Sequence, residues 1–274
     1  MKRSLLIALS LLAVVVPIAT ARVVSLGEST KGFLPASPCP GKNMEGTDED
    51  IPCVSPYQVT GYQDTAESTK EDPYLIRRSG KITAFTVKLG KVTSGEPTAQ
   101  KEFFDGRFDA PAAVQISIVR PGKKRSRRND HRVVAQSGIF PVDDYFGSSP
   151  TFVLDKPLNV KRGTIVALTI PTWAPVLATR QPRSEFWRSS RPKGKCGTSE
   201  KNAPNSVKER KDLSTWGCSY RGERLLYTAS YVPENRTTKP LAPSEAATSR
   251  SRPRIEGTQA RELGSLGGFP APAR

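Results

Sequence analysis

The 274-residue chain contains one histidine, His131. Any mechanism in which an imidazole moves a proton or activates a nucleophile therefore depends on this residue. It lies among arginines in a run predicted to be a loop, where an imidazole is hard to hold in a productive geometry. The chain also lacks a Gly-x-Ser-x-Gly elbow, a phosphate-binding loop and a dinucleotide-binding glycine pattern. We therefore predict no catalytic residue and no cofactor.

Cysteine is scarce, and its spacing does not fit a metal site. No pair has the C-x-x-C spacing of zinc sites, and His131 is distant in sequence from all four cysteines, so we predict no bound metal. Four cysteines instead fit an oxidising compartment and two disulfides. The sequence does not choose among three connectivities, but spacing favours two short loops, Cys39 with Cys53 and Cys196 with Cys218. Each would stabilise the fold by about 3 kcal/mol.

Long apolar runs are absent except at the start of the chain. Lys2 and Arg3 precede the apolar run Leu5–Val16, and the small residues Ala19 and Ala21 follow it. This order is typical of a secretory signal peptide, which we place at 1–21. The run is shorter than the roughly 20 residues that cross a bilayer, so an uncleaved anchor is the less favoured alternative. We predict a secreted or extracytoplasmic protein without a transmembrane segment.

The segment Leu158–Ile170 is predicted to be the central strand of the fold. Ile165, Val166, Ala167, Leu168 and Ile170 are apolar at both phases of a two-residue period. A strand with this pattern buries both of its faces, as strands inside a sandwich do. Gly163 and Pro171 are predicted to mark where its ladder begins and ends.

No helical period of any length appears, whereas strand patterns recur between Gly and Pro turns. The other predicted strands are Lys81–Leu89, 114–118, 132–140, 151–154, 176–180 and 224–232. This arrangement predicts an all-β, two-layer antiparallel β-sandwich of jelly-roll-like form, over residues 74–238. Residues 22–73 are predicted to be an extended lead-in stapled by the first disulfide. Residues 239–274, in which Pro, Gly, Ser and Ala make up 19 of 36, are predicted to be a disordered tail.

The net charge of +16 favours polyanionic partners, and one run concentrates it. Seven cations and one acid stand within 13 residues between two predicted strands; the cations are Arg120, Lys123, Lys124, Arg125, Arg127, Arg128 and Arg132. We predict an exposed hairpin tip that binds anionic polysaccharide or cell-wall polymer. The alternatives are a solvated loop that only keeps the protein soluble, and a site of protease processing at the Lys-Lys-Arg run 123–125. No aromatic residue interrupts the run, so specific nucleic-acid binding is not predicted.

A second basic region, residues 180–211, has ten cations and three acids. It includes Trp187, Arg188 and Arg191, which we add to the candidate polyanion-binding residues. Trp beside basic groups is typical of sugar-binding surfaces, but also of β-sandwich cores. Residues 181–217 are predicted to be a long loop that covers one end of the sandwich and is held by the second disulfide.

Two other function classes remain open. A glycan-active hydrolase needs two placed carboxylates, and the candidates are Asp143, Asp144, Asp155 and Glu185. Asp143 and Asp144 are adjacent and are predicted to form a turn rather than a catalytic pair. The third class is a purely structural component of the cell envelope that needs no ligand.

Three segments carry a resemblance to a known group of proteins. They are Ser79–Val87, Val114–Val119 and the Leu158–Gly163 lead into the buried strand. Their order resembles that of uncharacterised exported proteins from high-GC Gram-positive bacteria. The resemblance implies a jelly-roll-like sandwich for roughly residues 74–171, and it carries no activity or site. The long basic hairpin tip and the second cysteine loop depart from that pattern.

Overall fold

The structure is a computed structural model. It describes residues 22–29, 32–39, 42–43, 50–51, 53–67, 70–93, 100–197 and 205–234. The predicted signal peptide at 1–21 and the predicted disordered tail at 239–274 lie outside the described residues.

The described residues form seventeen strands and one α-helix. In chain order the strands are β1 (Val24–Leu26), β2 (Lys42–Asn43), β3 (Asp50–Ile51), β4 (Tyr57–Ala66), β5 (Lys70–Glu71), β6 (Gly80–Val87), β7 (Ala113–Pro121), β8 (Asp130–Gln136), β9 (Phe140–Pro141), β10 (Thr151–Val160), β11 (Ile165–Trp173), β12 (Leu177–Ala178), β13 (Phe186–Ser189), β14 (Leu213–Thr215), β15 (Cys218–Arg221), β16 (Arg224–Leu225) and β17 (Tyr227–Pro233). The helix α1 spans Gln100–Phe108, and single 3₁₀ turns span Arg125–Arg127 and Asp143–Tyr145.

Two antiparallel sheets form the layers. The smaller has the order β1-β17-β6-β10, and the larger has the order β14-β8-β7-β11-β4-β13-β15, with β5 on β4 and β9 on β7. The Tyr227 hydroxyl of the small sheet donates a 3.0 Å hydrogen bond to the carbonyl of Val166 in the large one. The predicted all-β, two-layer, jelly-roll-like sandwich is confirmed.

Strand β11 is the middle strand of the large sheet, between β7 and β4. Its residues from Ile165 to Ile170 are all buried, as the two-phase apolar pattern predicts. Two details of that prediction are wrong. Leu158–Val160 belongs to β10, on the other sheet, and the turn through Gly163 (φ +82°) separates it from β11. Strand β11 also continues past Pro171, because a register shift between Ile170 and Trp173 takes the proline out of the regular ladder.

The sandwich reaches into the segment predicted to be a lead-in. Strand β4 pairs with both β11 and β13, so it lies inside the large sheet. Strand β1 pairs with β17 and forms the edge of the small sheet. The predicted domain boundary at residue 74 therefore does not separate these strands from the sandwich.

Two further predictions about secondary structure are wrong. The chain contains helix α1, whose buried side chains Phe104 and Phe108 are one turn apart. Residues 181–217 are not one long loop, because they include two strands of the large sheet. Strand β13 is internal, between β4 and β15, and β14 is the edge strand next to β8.

Both favoured disulfides are present, Cys39 with Cys53 and Cys196 with Cys218. The second ties the chain that follows β13 to the first residue of β15. In the described part of the chain, no helix is both long enough and apolar enough to cross a membrane.

Candidate anion-binding surface

The basic run forms the tip of the β7–β8 hairpin, as predicted. The Gly122 amide donates to the Asp130 carbonyl at 2.7 Å, and the Arg127 amide donates to the Lys124 carbonyl at 2.8 Å. A Cβ on Gly122 would lie 2.1 Å from the Arg127 carbonyl oxygen. Only glycine lets the chain pass this closely, so the tip is a defined turn.

Six of the seven predicted hairpin cations are exposed to solvent: Arg120, Lys123, Lys124, Arg127, Arg128 and Arg132. Within the described residues, none of these six side chains lies within 4.0 Å of a carboxylate. The side chain of the seventh, Arg125, is outside the part that the structure describes. The tip therefore carries positive charge that no neighbouring acid in the described chain compensates.

The fold adds part of the second basic region to this hairpin. Strand β14 pairs with β8, and the Arg132 guanidinium donates to the Lys211 carbonyl at 2.8 Å. Arg210 and Lys211 are both exposed beside it. We call the hairpin from Arg120 to Arg132 together with Arg210 and Lys211 the basic surface.

A polar cavity of about 590 Å³ opens at the base of the basic surface. Its lining residues are Tyr62, Asp64, Asp72, Leu75, Pro121, Arg128, Asn129, His131, Ile165 and Arg188. Within it, the guanidinium of Arg188 forms a 2.9 Å ion pair with Asp64. The cavity is thus lined by one exposed cation of the hairpin, Arg128, and by the half-buried Arg188 of β13, which is paired with Asp64.

His131 does not sit in an open loop, so that part of the prediction is wrong. It is 2% exposed, and its ring stacks on Trp216 at 4.7 Å. Its Nδ1 donates to the Asn129 carbonyl at 2.9 Å, and its Nε2 accepts from the Tyr62 hydroxyl at 3.1 Å. Burial lowers the pKa of His131 and raises that of Tyr62. Both side chains are therefore held neutral.

The three candidates from the second basic region separate in the structure. Trp187 is buried, stacks on Tyr220 at 4.3 Å and donates from Nε1 to Glu223. Arg188 lines the polar cavity. Arg191 is 2% exposed. Trp187 and Arg191 thus cannot contact a polymer lying on the basic surface, and only Arg188 adjoins it.

The four candidate carboxylates of the hydrolase alternative lie in three different parts of the fold: the 3₁₀ turn Asp143–Tyr145, strand β10 and the chain just before β13. Asp143 accepts from the Ala112 amide at 3.0 Å and lies 3.5 Å from Lys101. Asp144 and Asp155 are exposed, and Glu185 is buried 4.0 Å from Arg224. None of the four lines the polar cavity.

Comparison of the chain with protein-family models, curated proteins and solved structures finds no match. The resemblance to exported proteins of high-GC Gram-positive bacteria therefore stays a prediction.

Arg128 and Arg188 of the cavity were among the predicted site residues, but Tyr62 and Asp64 were not. Tyr62 and Asp64 lie in β4, which was predicted to be lead-in, and they meet His131 and Arg188 only through sheet pairing. Lys211 is 79 residues from Arg132 in the chain, and the two are brought together only by the pairing of the short strand β14 with β8. A correct prediction of β4 as a strand is the one signal that would have led to the cavity.

Proposed function

We propose that the chain is an exported, non-catalytic β-sandwich protein that binds anionic polymers of the cell envelope or extracellular matrix through its basic surface. The observation that carries the proposal is the set of six exposed hairpin cations without a carboxylate partner in the described chain. The two disulfides support export, because such bonds persist in oxidising compartments.

Electrostatics favours an extended polymer over a small ion as the partner. The cations are spread over both strands and the tip of the hairpin rather than converging on one point. At physiological salt, charges further apart than about 8 Å are largely screened from each other. A chain with repeated sulfate, phosphate or carboxylate groups can contact several cations at once and releases counterions as it binds.

Heparin, a sulfated polysaccharide, is a suitable probe. We expect Lys124, Arg127 and Arg128 replaced together by serine to elute from immobilised heparin at clearly lower salt than wild type. A matched variant, Lys91, Lys156 and Lys195 to serine, loses the same charge from exposed positions outside β7, β8 and β14. If each hairpin cation contacts one anionic group, the slope of log affinity against log salt falls by about 2 to 3 in the hairpin variant alone.

The same pair of variants decides between this proposal and a hairpin that only solubilises the protein. Equal elution of wild type and both variants would remove the basic surface as a binding site. Equal losses in both variants would show that net charge, and not the hairpin, retains the protein.

A further inference from the structure

The polar cavity at the base of the basic surface is built from separate parts of the chain. Asp64 comes from β4, Asp72 from the chain after β5, Asn129 from the chain just before β8 and Arg188 from β13. Its volume of about 590 Å³ is within the range of small-molecule sites, roughly 300 to 1,000 Å³. Of these polar residues, none belongs to the set of exposed hairpin cations.

The charges of the cavity balance, unlike those of the hairpin tip. In the described part of the chain, its lining contains two cations, Arg128 and Arg188, and two acids, Asp64 and Asp72. Burial keeps its other titratable side chains, a tyrosine and the histidine, neutral. A phosphate or sulfate group inside the cavity would approach two carboxylates within the screening length of about 8 Å. The lining therefore favours an uncharged polar group over an anion.

Three side chains of the lining form a row of hydrogen bonds that reaches solvent. The guanidinium of Arg188 donates from Nη2 to Asp64 Oδ2 at 2.9 Å and from Nη1 to Asn129 Oδ1 at 3.4 Å. The side chains of Arg188 and Asp64 are 23% and 18% exposed, and Asn129 is exposed. A ligand in the cavity can therefore contact all three.

This row leaves one acceptor and one donor unused. Asp64 Oδ1 accepts no hydrogen bond from the described residues, and the side-chain amide nitrogen of Asn129 donates none to them. A carboxylate oxygen only accepts, whereas an amide nitrogen only donates. Two neighbouring hydroxyls on one ring satisfy both groups, because a hydroxyl donates as well as accepts.

The rest of the lining includes apolar side chains. Leu75, Pro121 and Ile165 contribute them, and Leu75 and Ile165 are joined by an isolated β-bridge. A sugar ring presents C–H groups beside its hydroxyls, so it suits a lining in which a few placed polar groups stand next to apolar ones. A simple hydrated ion has no apolar face to offer.

We propose that the polar cavity holds one sugar ring of the bound polymer, and that this polymer is a polyuronate, an acidic polysaccharide whose rings keep neighbouring free hydroxyls. The inference rests on the proposed binding at the basic surface. Carboxylates of the flanking units pair with the hairpin cations, among which Arg128 lies next to the cavity. One hydroxyl of the bound ring donates to Asp64, and its neighbour accepts from Asn129. Polyphosphate has no such hydroxyls and binds the basic surface alone.

The probes are sodium alginate, which is a polyuronate, and long-chain polyphosphate, which contains no sugar. Each is titrated into the full-length chain by calorimetry at one fixed salt concentration. Asn129→Ala leaves the net charge unchanged and keeps the backbone carbonyl that accepts from His131. We expect its alginate affinity to fall about threefold or more, because a hydrogen bond to the sugar is lost, and its polyphosphate affinity to stay unchanged.

Ser126→Ala is the matched control, because Ser126 is exposed at the hairpin tip and lies outside the cavity lining. It should bind both polymers as wild type does. Asp64→Asn is the second cavity variant. Loss of its charge strengthens the binding of both anionic polymers, so the readout is the ratio of alginate affinity to polyphosphate affinity, which should fall. If Asn129→Ala does not fold, this ratio decides the question.

An unchanged alginate affinity in Asn129→Ala, or an equal fall for both polymers, would overturn the inference. The serine variant of Lys124, Arg127 and Arg128 tests the basic surface separately, because it should lose affinity for polyphosphate as well as for alginate. Full polyphosphate affinity in that variant would refute the basic surface. Its loss, together with wild-type alginate binding by Asn129→Ala, would refute the sugar site alone.

Discussion

The Tyr62 hydroxyl lies 3.1 Å from Nε2 of His131, which joins β4 to β8 on one face of the large sheet. Because the Nδ1 of the imidazole donates to the Asn129 carbonyl, its Nε2 is the acceptor of the tyrosine proton. Trp216 covers the ring. The only histidine of the chain is thus a buried, neutral part of the sandwich, and the hairpin that carries the cations is anchored by it.

This anchor makes the stability of the protein depend on pH. Burial lowers the pKa of His131 below its ordinary value of 6.5. The unfolded chain therefore takes up a proton at a higher pH than the folded chain does. The stabilisation is complete above 6.5 and is lost as pH falls from there towards the folded pKa. We expect the unfolding midpoint of wild type to drop between about pH 7 and pH 5.

The measurement for His131 is a series of thermal melts over that pH range. His131→Gln should be less stable than wild type at neutral pH and should lose less stability on acidification. Asp64, Asp130 and Arg188 act electrostatically on the imidazole and are unchanged in the variant, so they do not account for a difference. Parallel curves for the two proteins would contradict the assignment.

Glu223 should give a pH dependence of the opposite sign. Burial raises its pKa above the ordinary 4.5, so the folded chain holds a proton that the unfolded chain releases first. Its contribution is present below 4.5 and is lost as pH rises through the folded pKa. Glu223→Gln keeps an acceptor for Trp187 Nε1 and carries no charge at any pH. The unfolding midpoint of the variant minus that of wild type should therefore be higher at neutral pH than at acidic pH. A difference that does not change with pH would contradict this.

The sequence predicted the middle of the sandwich better than its polar face. Strand β11 was predicted because its apolar residues occupy both phases, a pattern that few loops share. Strand β4 was not, because Thr60, Gln63 and Asp64 give it the composition of a loop. In the fold these groups are satisfied by neighbouring strands. Thr60 pairs with the Thr169 hydroxyl of β11 at 3.0 Å, and Gln63 accepts from the Leu225 amide of β16 at 2.9 Å.

Only the part of the candidate site that has a local sequence pattern was predicted. A run of like charges between two strand patterns is a local signal, so the hairpin tip could be identified. The ion pair of Arg188 with Asp64 joins residues 124 positions apart, and no local pattern indicates it. Helix α1 had only the one-turn spacing of Phe104 and Phe108 as a signal, and it is nine residues long.

The second disulfide should stabilise the chain that follows β13. This chain lies beside β4, where the Ser190 amide donates to the Thr60 carbonyl and the Ser206 amide to the Gln58 carbonyl, both at 2.9 Å. Cys196 and Cys218 close a loop of 22 residues that contains Ser206. Replacing both by alanine should lower the free energy of unfolding by about 3 kcal/mol in the chain-entropy model.

Urea denaturation of the double-alanine variant tests this directly. The matched control replaces Cys39 and Cys53, whose loop of 14 residues predicts a similar or slightly smaller loss. A loss below about 1 kcal/mol in the Cys196/Cys218 variant would show that hydrogen bonds alone hold this chain beside β4.

A buried ion cluster gives the largest expected effect of a single substitution. The guanidinium of Arg224 donates from Nη2 to the Gly27 carbonyl at 3.1 Å and from Nη1 to Glu67 at 3.4 Å, and it lies 4.0 Å from Glu185. Arg224 and Glu185 are both buried, and one oxygen of Glu185 makes no hydrogen bond within the described residues. Removal of the cation leaves this carboxylate buried and uncompensated, so Arg224→Met should cost about 3 to 5 kcal/mol.

A double-mutant cycle separates this cost from lost packing. Glu185→Gln removes the carboxylate charge that Arg224→Met leaves uncompensated. The double variant Arg224→Met/Glu185→Gln should therefore be more stable than Arg224→Met alone, with a coupling free energy of about 1 to 3 kcal/mol between the two sites. Arg183→Met, an exposed arginine two residues before Glu185, should change the free energy of unfolding by less than about 0.5 kcal/mol. Additive losses in the cycle would mean that Arg224 stabilises the sandwich through its bonds to Gly27 and Glu67 rather than through charge compensation of Glu185.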